Sequence, residues 1–107
     1  MGREKGSKTS SQRIEPLLFE VFLGREAEKA LKSLDRKISL KVMEALLHLK
    51  ITPIPFKDYD LKKIAGSDNI YRIRISRFRI IYSVQWESKT INVLRIAKRD
   101  DKTYRGI

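Results

Sequence analysis

The chain has 107 residues, with 24 Lys and Arg against 13 Asp and Glu, and a net charge of +11. This length predicts one domain with a small core. The absence of cysteine and the presence of one histidine argue against disulfides, thiolate metal sites and a histidine-based metal site. The longest apolar runs are too short to span a membrane. The first residues are polar and basic, so we expect no signal peptide, no membrane partner and a cytoplasmic protein.

The positive charge is concentrated at the C-terminal end. Residues 71–107 carry 10 of the 24 Lys and Arg but only 3 of the 13 Asp and Glu. An excess of this kind favours a polyanionic partner such as RNA, DNA, a membrane surface or an acidic protein.

The first third of the chain predicts a tail, a strand and a helix. Residues 1–14 lack apolar periodicity and predict a disordered basic tail, which leaves one folded domain over 15–107. The apolar run 17–23 has the length of a strand, and Gly24 ends it. A helix is predicted next from apolar residues that share one helical face: Ala27, Ala30, Leu31 and Leu34.

A second helix is predicted over 36–51, with Asp35 as its N-cap and prolines at 53 and 55 as its stop. The short connection between the helices predicts an antiparallel helical hairpin. Three further apolar residues of this helix either complete the core or bind a partner: Leu40, Met43 and Leu47.

The rest of the chain predicts a loop over 52–69 and three strands at about 70–75, 78–86 and 90–97. A two-residue turn, Ser76-Arg77, joins the first pair. The predicted fold is therefore α+β: an N-terminal strand, the helical hairpin and a three-stranded antiparallel meander, in the order β-α-α-β-β-β.

Strand alternation predicts that the arginines of the hairpin share one face. Arg72 and Arg74 point away from the apolar residues between and beside them, and the two-residue turn places Arg74 opposite Arg79. Like charges in that position cost roughly 0.2–1 kcal/mol, which a docked anion would offset. The last strand is apolar on both sides, is expected to be central, and leads to Lys98 and Arg99.

Each of these features also has a simpler interpretation. The basic face could be solvated surface only. The aromatic residues could stack on bases, but their alternation favours the core: Tyr71, Phe78, Tyr82 and Trp86. His48 is expected to be a surface or helix-packing residue. Glu87, Asp100 and Asp101 could serve as general bases. We expect instead that Glu87 is a turn residue and that Asp100 and Asp101 are charges of the C-terminal tail.

The segment YRIRISRFRIIYSV, followed by KRDDKTYR, resembles the RelE/ParE toxin superfamily, and the archaeal RelE branch in particular. The preceding LKKIAGSDNIY and the order of elements also agree. The resemblance implies a type II toxin that cuts mRNA in the ribosomal A site by attack of the 2′-hydroxyl, with no metal or cofactor. It also implies a RelB-like antitoxin, and contact with operator DNA only through that antitoxin.

The resemblance carries functional residues over to this chain. It assigns Arg79, Arg99 and Tyr104 to catalysis. It assigns a further set to binding RNA phosphates: Arg72, Arg74, Arg77 and Lys98. Tyr104 would orient or deprotonate the hydroxyl, or only anchor the tail. One departure is that some bacterial relatives use lysines where this chain has Arg72 and Arg74, and an arginine does not deprotonate.

Two other functions fit the same sequence. A ParE-type toxin has the same fold but inhibits DNA gyrase, and the Lys98-Arg99 pair followed by Tyr104 favours the nuclease over it. A non-catalytic basic module that docks on RNA is the third alternative.

Overall fold

The computed structural model describes residues 18–98 of the chain. They form two helices and five strands: β1 Glu20–Leu23, α1 Arg25–Ser33, α2 Arg36–Ile51, β2 Asp60–Lys63, β3 Ile70–Ile75, β4 Phe78–Gln85 and β5 Thr90–Lys98. The α+β class is confirmed, and the sheet has one more strand than predicted. The predicted tail over 1–14 lies outside the described residues.

Capping sets where α2 begins. The Asp35 side chain accepts a hydrogen bond from the Ile38 backbone N–H at 2.9 Å, which satisfies one of the free donors of the first turn. The helix runs over the predicted residues and ends before Pro53. Its buried residues lie on the predicted face: Val42, Ala45, Leu46 and Leu49.

A close backbone approach joins α1 to the sheet. The N–H of Gly24, between β1 and α1, donates to the Val93 carbonyl at 2.9 Å. A Cβ at residue 24 would lie 3.2 Å from that same oxygen, which is tighter than ordinary contact. Glycine therefore permits the turn from strand to helix at this point.

The five strands form one sheet in the order β1-β5-β4-β3-β2. The first strand runs parallel to β5, and all other neighbours are antiparallel. The Ser76-Arg77 turn is confirmed, and Ser76 has a φ of 57°, as two-residue hairpin turns require. The pairs between β3 and β4 are the predicted ones, including Arg74 opposite Arg79.

The core lies on one side of the sheet. The buried cluster combines α2 residues such as Val42 and Leu49 with strand residues such as Ile73, Ile80 and Ile91. The helices thus cover this helical face, and alternation sends the remaining strand side chains to the opposite side, here called the outer face.

The predicted loop over 52–69 contains a strand, β2, that the sequence analysis missed. The strand has four residues, which is too short for apolar alternation to predict it. Leu61 is the one residue of β2 that packs against the core. The loop before it is fixed because Pro55 is buried and the Tyr82 hydroxyl donates to the Pro53 carbonyl at 2.8 Å. Gly66, after β2, is exposed and has a φ of 84°.

A β-bulge explains why apolar residues occupy both sets of alternating positions in the sequence of β5. Ile81 pairs with Arg95, but Tyr82 pairs with Val93, so Leu94 is the extra residue. The bulge turns Arg95 to the outer face and Ile96 to the core. The expectation that this strand is central is confirmed, because β5 lies inside the sheet between β4 and β1, although β4 is the middle strand of the five.

Trp86 is a second correction. Alternation predicted it in the core, but β4 ends at Gln85 and the Trp86 side chain is 54% exposed. Its ring packs edge-on against Phe19, with the centroids 5.5 Å apart. The other three aromatic residues of this set, Tyr71, Phe78 and Tyr82, belong to the core or pack against it, as predicted.

The α2 cap can be tested by substitution. We expect Asp35→Ala to lower the free energy of unfolding by about 1 kcal/mol, because it removes the acceptor for the Ile38 N–H. Asp35→Asn keeps an acceptor and should lose much less. Denaturant titration followed by circular dichroism measures both, and equal stability of Asp35→Ala and the parent chain would contradict the assignment.

Candidate nucleic-acid interface

Four strands bring basic side chains into two adjacent rows on the outer face. One row joins Asp60, Arg74 and Arg79 across β2, β3 and β4. The next row joins Lys62, Arg72, Ile81 and Arg95 across β2 to β5. Partners in such rows have Cα atoms about 4.5–5.5 Å apart, so neighbouring cations can contact a single phosphate.

Arg72 is the most buried charged residue of the described chain, with 6% of its surface exposed. Its Nη1 lies 3.5 Å from Asp60 Oδ1 and donates to the Asp60 backbone carbonyl at 3.4 Å. A buried guanidinium needs such partners, because burying an unpaired charge is costly. Arg72 is therefore held in place by β2.

Arg74 is held less firmly. Its Nη1 donates to Asp60 Oδ2 at 3.2 Å, and 35% of its side chain is exposed. The carboxylate of Asp60 thus lies against both hairpin arginines. The sequence analysis expected that only a docked anion would offset the Arg74–Arg79 repulsion, whereas part of that compensation comes from within the chain.

A cleft opens beside Arg72 and Arg79. Its volume is about 420 Å³, and it is lined by Lys62, Lys63, Ile64, Ala65, Arg72 and Arg79. Four of these six residues carry a positive charge and none carries a negative one. A cleft with this lining attracts anions and can bind a phosphate through several charged donors at once.

The sequence analysis missed three of the basic residues on this side of the molecule. Lys62 and Lys63 belong to β2, which was predicted to be loop, and Arg95 reaches the outer face only because of the bulge. The alternation of Leu61 with Lys62 was the available signal for Lys62. No sequence signal marked the bulge.

Two predicted phosphate-binding residues lie elsewhere. Arg77 is in the β3–β4 turn, and Lys98 pairs with Phe78 at the end of β5. Both line a separate hollow of about 340 Å³, with Asp35 and Ile38 of the α2 N-terminus. The structure does not bring Arg77 and Lys98 into the basic cleft. Two predicted catalytic residues, Arg99 and Tyr104, lie outside the described residues, as do Asp100 and Asp101.

The alternative acid–base candidates lie away from the cleft. His48 Nε2 is 3.2 Å from Asp58 Oδ2, and its ring packs edge-on against Tyr59 at 5.5 Å, which confirms a packing role. Glu87 lies in the turn between β4 and β5. Within residues 18–98, no group of three or more His, Asp or Glu side chains could hold a metal ion.

Two tyrosines of the described chain, Tyr59 and Tyr82, are unsuited to act as general bases near neutral pH. Burial, and then the neighbouring Tyr71, raise the pKa of Tyr82 well above its ordinary value of 10.0. The rings of the two tyrosines stack with centroids 5.8 Å apart, on the helical face. Burial is also the main cause that raises the pKa of Tyr59, followed by Glu44 and Asp58. Both groups thus hold their protons more firmly than free tyrosine.

The ParE toxin family of type II toxin–antitoxin systems (parDE) matches residues 21–103. A protein of Methanocaldococcus jannaschii named as a RelE1 toxin is 37% identical over 82 residues, which are 77% of this chain and 91% of that protein. The chain therefore belongs to the RelE/ParE family of toxins from type II toxin–antitoxin systems. The matched range includes Arg99 and ends one residue before Tyr104.

Solved structures share this fold. A chain of the archaeal RelE–RelB complex from Pyrococcus horikoshii OT3 has a TM-score of 0.72 at 30% identity, over 78% of this chain and 98% of that one. The isolated E. coli RelE toxin has a TM-score of 0.67 at 18% identity, over 82% and 92% respectively, and shows the fold alone. No helix among residues 18–98 is long and apolar enough to cross a membrane.

The buried Tyr82 hydroxyl predicts a loss of stability at alkaline pH. Because its pKa is raised in the folded state, its contribution is intact below about pH 10 and is lost as the pH rises toward the folded-state pKa. We expect the free energy of unfolding to fall less steeply above that pH in Tyr82→Phe. Urea titrations at several alkaline pH values measure this, and identical pH slopes for the two proteins would contradict it.

Proposed function

We propose that this toxin is a metal-independent endonuclease that cuts mRNA bound to the ribosome. In this proposal it binds the RNA backbone with the outer face of its sheet. The observation that supports this best is the basic cleft, where Lys62, Lys63, Arg72 and Arg79 meet without a carboxylate in the lining. An RNA strand presents a line of phosphates, and adjacent rows of cations on a sheet suit such a ligand.

The proposed reaction is an internal transfer of the phosphoryl group. The 2′-oxygen attacks the adjacent phosphorus and the bond to the 5′-oxygen breaks. The products are a 2′,3′-cyclic phosphate and a 5′-hydroxyl. One proton leaves the 2′-hydroxyl and one joins the departing 5′-oxygen, so no water, metal or cofactor is consumed.

The cations supply most of the catalysis in this proposal. Guanidiniums bind phosphate oxygens in pairs and stabilise the extra negative charge of the transition state. Arg72 and Arg74 hold phosphates and Arg79 faces the reacting one, while Lys62 and Lys63 extend the contact along the strand. Arginine cannot serve as the base, because it does not deprotonate.

The proton transfers are assigned to the C-terminal residues. Tyr104 orients or deprotonates the 2′-hydroxyl in this proposal, and guanidiniums placed beside a phenol would favour its anion. Arg99 stabilises the transition state or orients a water molecule that gives its proton to the leaving oxygen. Since alignment for in-line attack is a large part of the rate, the ribosome supplies the geometry and the isolated protein is a poor nuclease.

A RelB-like antitoxin is the proposed protein partner, and operator DNA is contacted only through it. The archaeal relative with this fold was solved as a RelE–RelB complex. Four apolar residues of α2 are exposed to solvent in the described chain and offer a surface for such a partner: Leu40, Met43, Leu47 and Ile51. Leu40, Met43 and Leu47, which the sequence assigned either to the core or to a partner surface, are thus accessible and lie outside the core.

Translation of a defined mRNA, with mapping of new 5′ ends, tests the nuclease. We expect cuts in the A-site codon, abolished by Arg99→Ala and slowed about 100-fold by Arg79→Gln. Arg36→Gln, an exposed arginine in the first turn of α2, makes the same charge change away from the cleft and should cut normally. Intact mRNA together with loss of gyrase supercoiling would instead favour a ParE-type toxin, and neither effect would leave an RNA-binding module.

The contribution of β2 to RNA binding can be measured separately. We expect Lys62→Gln to weaken binding of single-stranded RNA and to reduce the slope of log K against log salt by about 0.7, the value for one lost phosphate contact. Lys41→Gln, an exposed lysine of α2, is the matched control and should change neither quantity. Equal slopes for Lys62→Gln and the parent chain would remove β2 from the interface.

A further inference from the structure

Asp60 is an acid at the edge of a basic surface. The strands β2 to β5 are all within the described residues, and Asp60 is the one Asp or Glu that they contain. Its Cα pairs with that of Arg74, which in turn pairs with Arg79. A surface that only had to attract RNA would not place a carboxylate in this row, so the residue calls for an explanation.

We propose that Asp60 is an internal anion that occupies Arg74 in the free protein and releases it to an RNA phosphate, while it keeps Arg72 fixed. The inference rests on the proposed RNA-binding function and adds a regulatory role at that same site. Asp60 acts through the two arginines and is a positioning residue.

The two arginines are bound to Asp60 in different ways. Arg72 is buried and contacts both the carboxylate and the backbone carbonyl of Asp60, at 3.5 and 3.4 Å. Because the backbone contact does not depend on the carboxylate, Arg72 keeps a partner when the carboxylate moves. Loss of both partners would leave a buried charge unpaired, which is costly.

Arg74 contacts Asp60 through the carboxylate, at 3.2 Å to Oδ2, in a pair whose side chains are 35% and 49% exposed. An ion pair this open to water contributes little and is screened by salt. A phosphate can bind the guanidinium bidentately and interact with Arg79 at the same time, so it can replace the carboxylate at Arg74.

Such an exchange sets a threshold for binding. A ligand that contacts only Arg74 gains little, because it must displace an anion that is already there. A strand that also fills the cleft beside Arg72 and Arg79 gains enough contacts to make the exchange favourable. Asp60 therefore weakens binding of stray anions and short RNA more than binding of a fully engaged strand.

The test is the affinity for an uncleavable 2′-O-methyl RNA of about 12 nucleotides, measured from about 50 to about 200 mM salt. For Asp60→Asn we expect binding about threefold tighter at the lower salt and a slope of log K against log salt that is steeper by about 0.7. Asp60→Glu, which keeps the charge, should bind as the parent chain does.

Two controls separate the exchange from a general charge effect. Asp68→Asn makes the same charge change at an exposed residue beside Trp86, and we expect an unchanged affinity. In an Arg74→Gln background, Asp60→Asn should no longer tighten binding, because the competition at Arg74 is gone. Equal tightening by Asp60→Asn and Asp68→Asn, or tightening that persists without Arg74, would overturn the proposal.

Unchanged or weaker RNA binding by Asp60→Asn would also overturn it, as would failure of both proteins to bind the RNA. If Asp60→Asn does not fold, Arg74→Gln alone decides: it should weaken binding less than Lys62→Gln, because Asp60 already compensates the charge of Arg74 in the free protein. Equal losses would contradict the exchange. Since this RNA cannot be cut and no ribosome is present, the result is independent of whether the toxin cleaves mRNA in translation.

Discussion

The helices cover one side of a five-stranded sheet, and this decides where the charge of the molecule can go. Because β3 and β4 must place Ile73, Ile80 and Tyr82 in the core, alternation sends every intervening residue to the outer face. Those intervening residues include Arg72, Arg74 and Arg79. A slip of one residue in the hairpin would bury guanidiniums among leucines and isoleucines, so the core fixes the register of the basic face.

The basic face is stable because its charges are partly compensated and partly left available. Asp60 and the backbone of β2 bind Arg72 on one side, and the cleft beside it gathers three more cations with no acid in the lining. If every positive charge were compensated, the surface would not attract a polyanion. If no positive charge were compensated, repulsion between like charges would lower the stability of the fold. The chain lies between these limits, and this balance suits the RNA-binding role proposed for the surface.

Strong local signals made much of the fold predictable. The Asp35 cap and the prolines gave the bounds of α2, and the period-two pattern of β3 and β4 gave the hairpin with Arg74 opposite Arg79. The resemblance of the hairpin segment to the RelE/ParE family gave the protein class, which the comparisons bear out. These features depend on residues close in sequence, where propensity and periodicity act directly.

The missed features depend on contacts between distant segments. The strand β2 is four residues long and forms because β3 offers an edge to pair with, so the alternation of Leu61 with Lys62 was too short to predict a strand. The bulge at Leu94 follows from pairing between β4 and β5, and it alone moves Arg95 to the outer face. The ion pairs of Asp60 follow from the same pairing and could not be read from the sequence.

The central claim is that the outer face binds the RNA backbone. The most direct measurement is NMR of the arginine side-chain Nε–Hε groups during titration with single-stranded RNA. We expect shifts at Arg72, Arg74 and Arg79, with the helix arginines Arg25 and Arg36 unchanged. Shifts confined to the helix arginines, or equal shifts at all of them, would contradict the account.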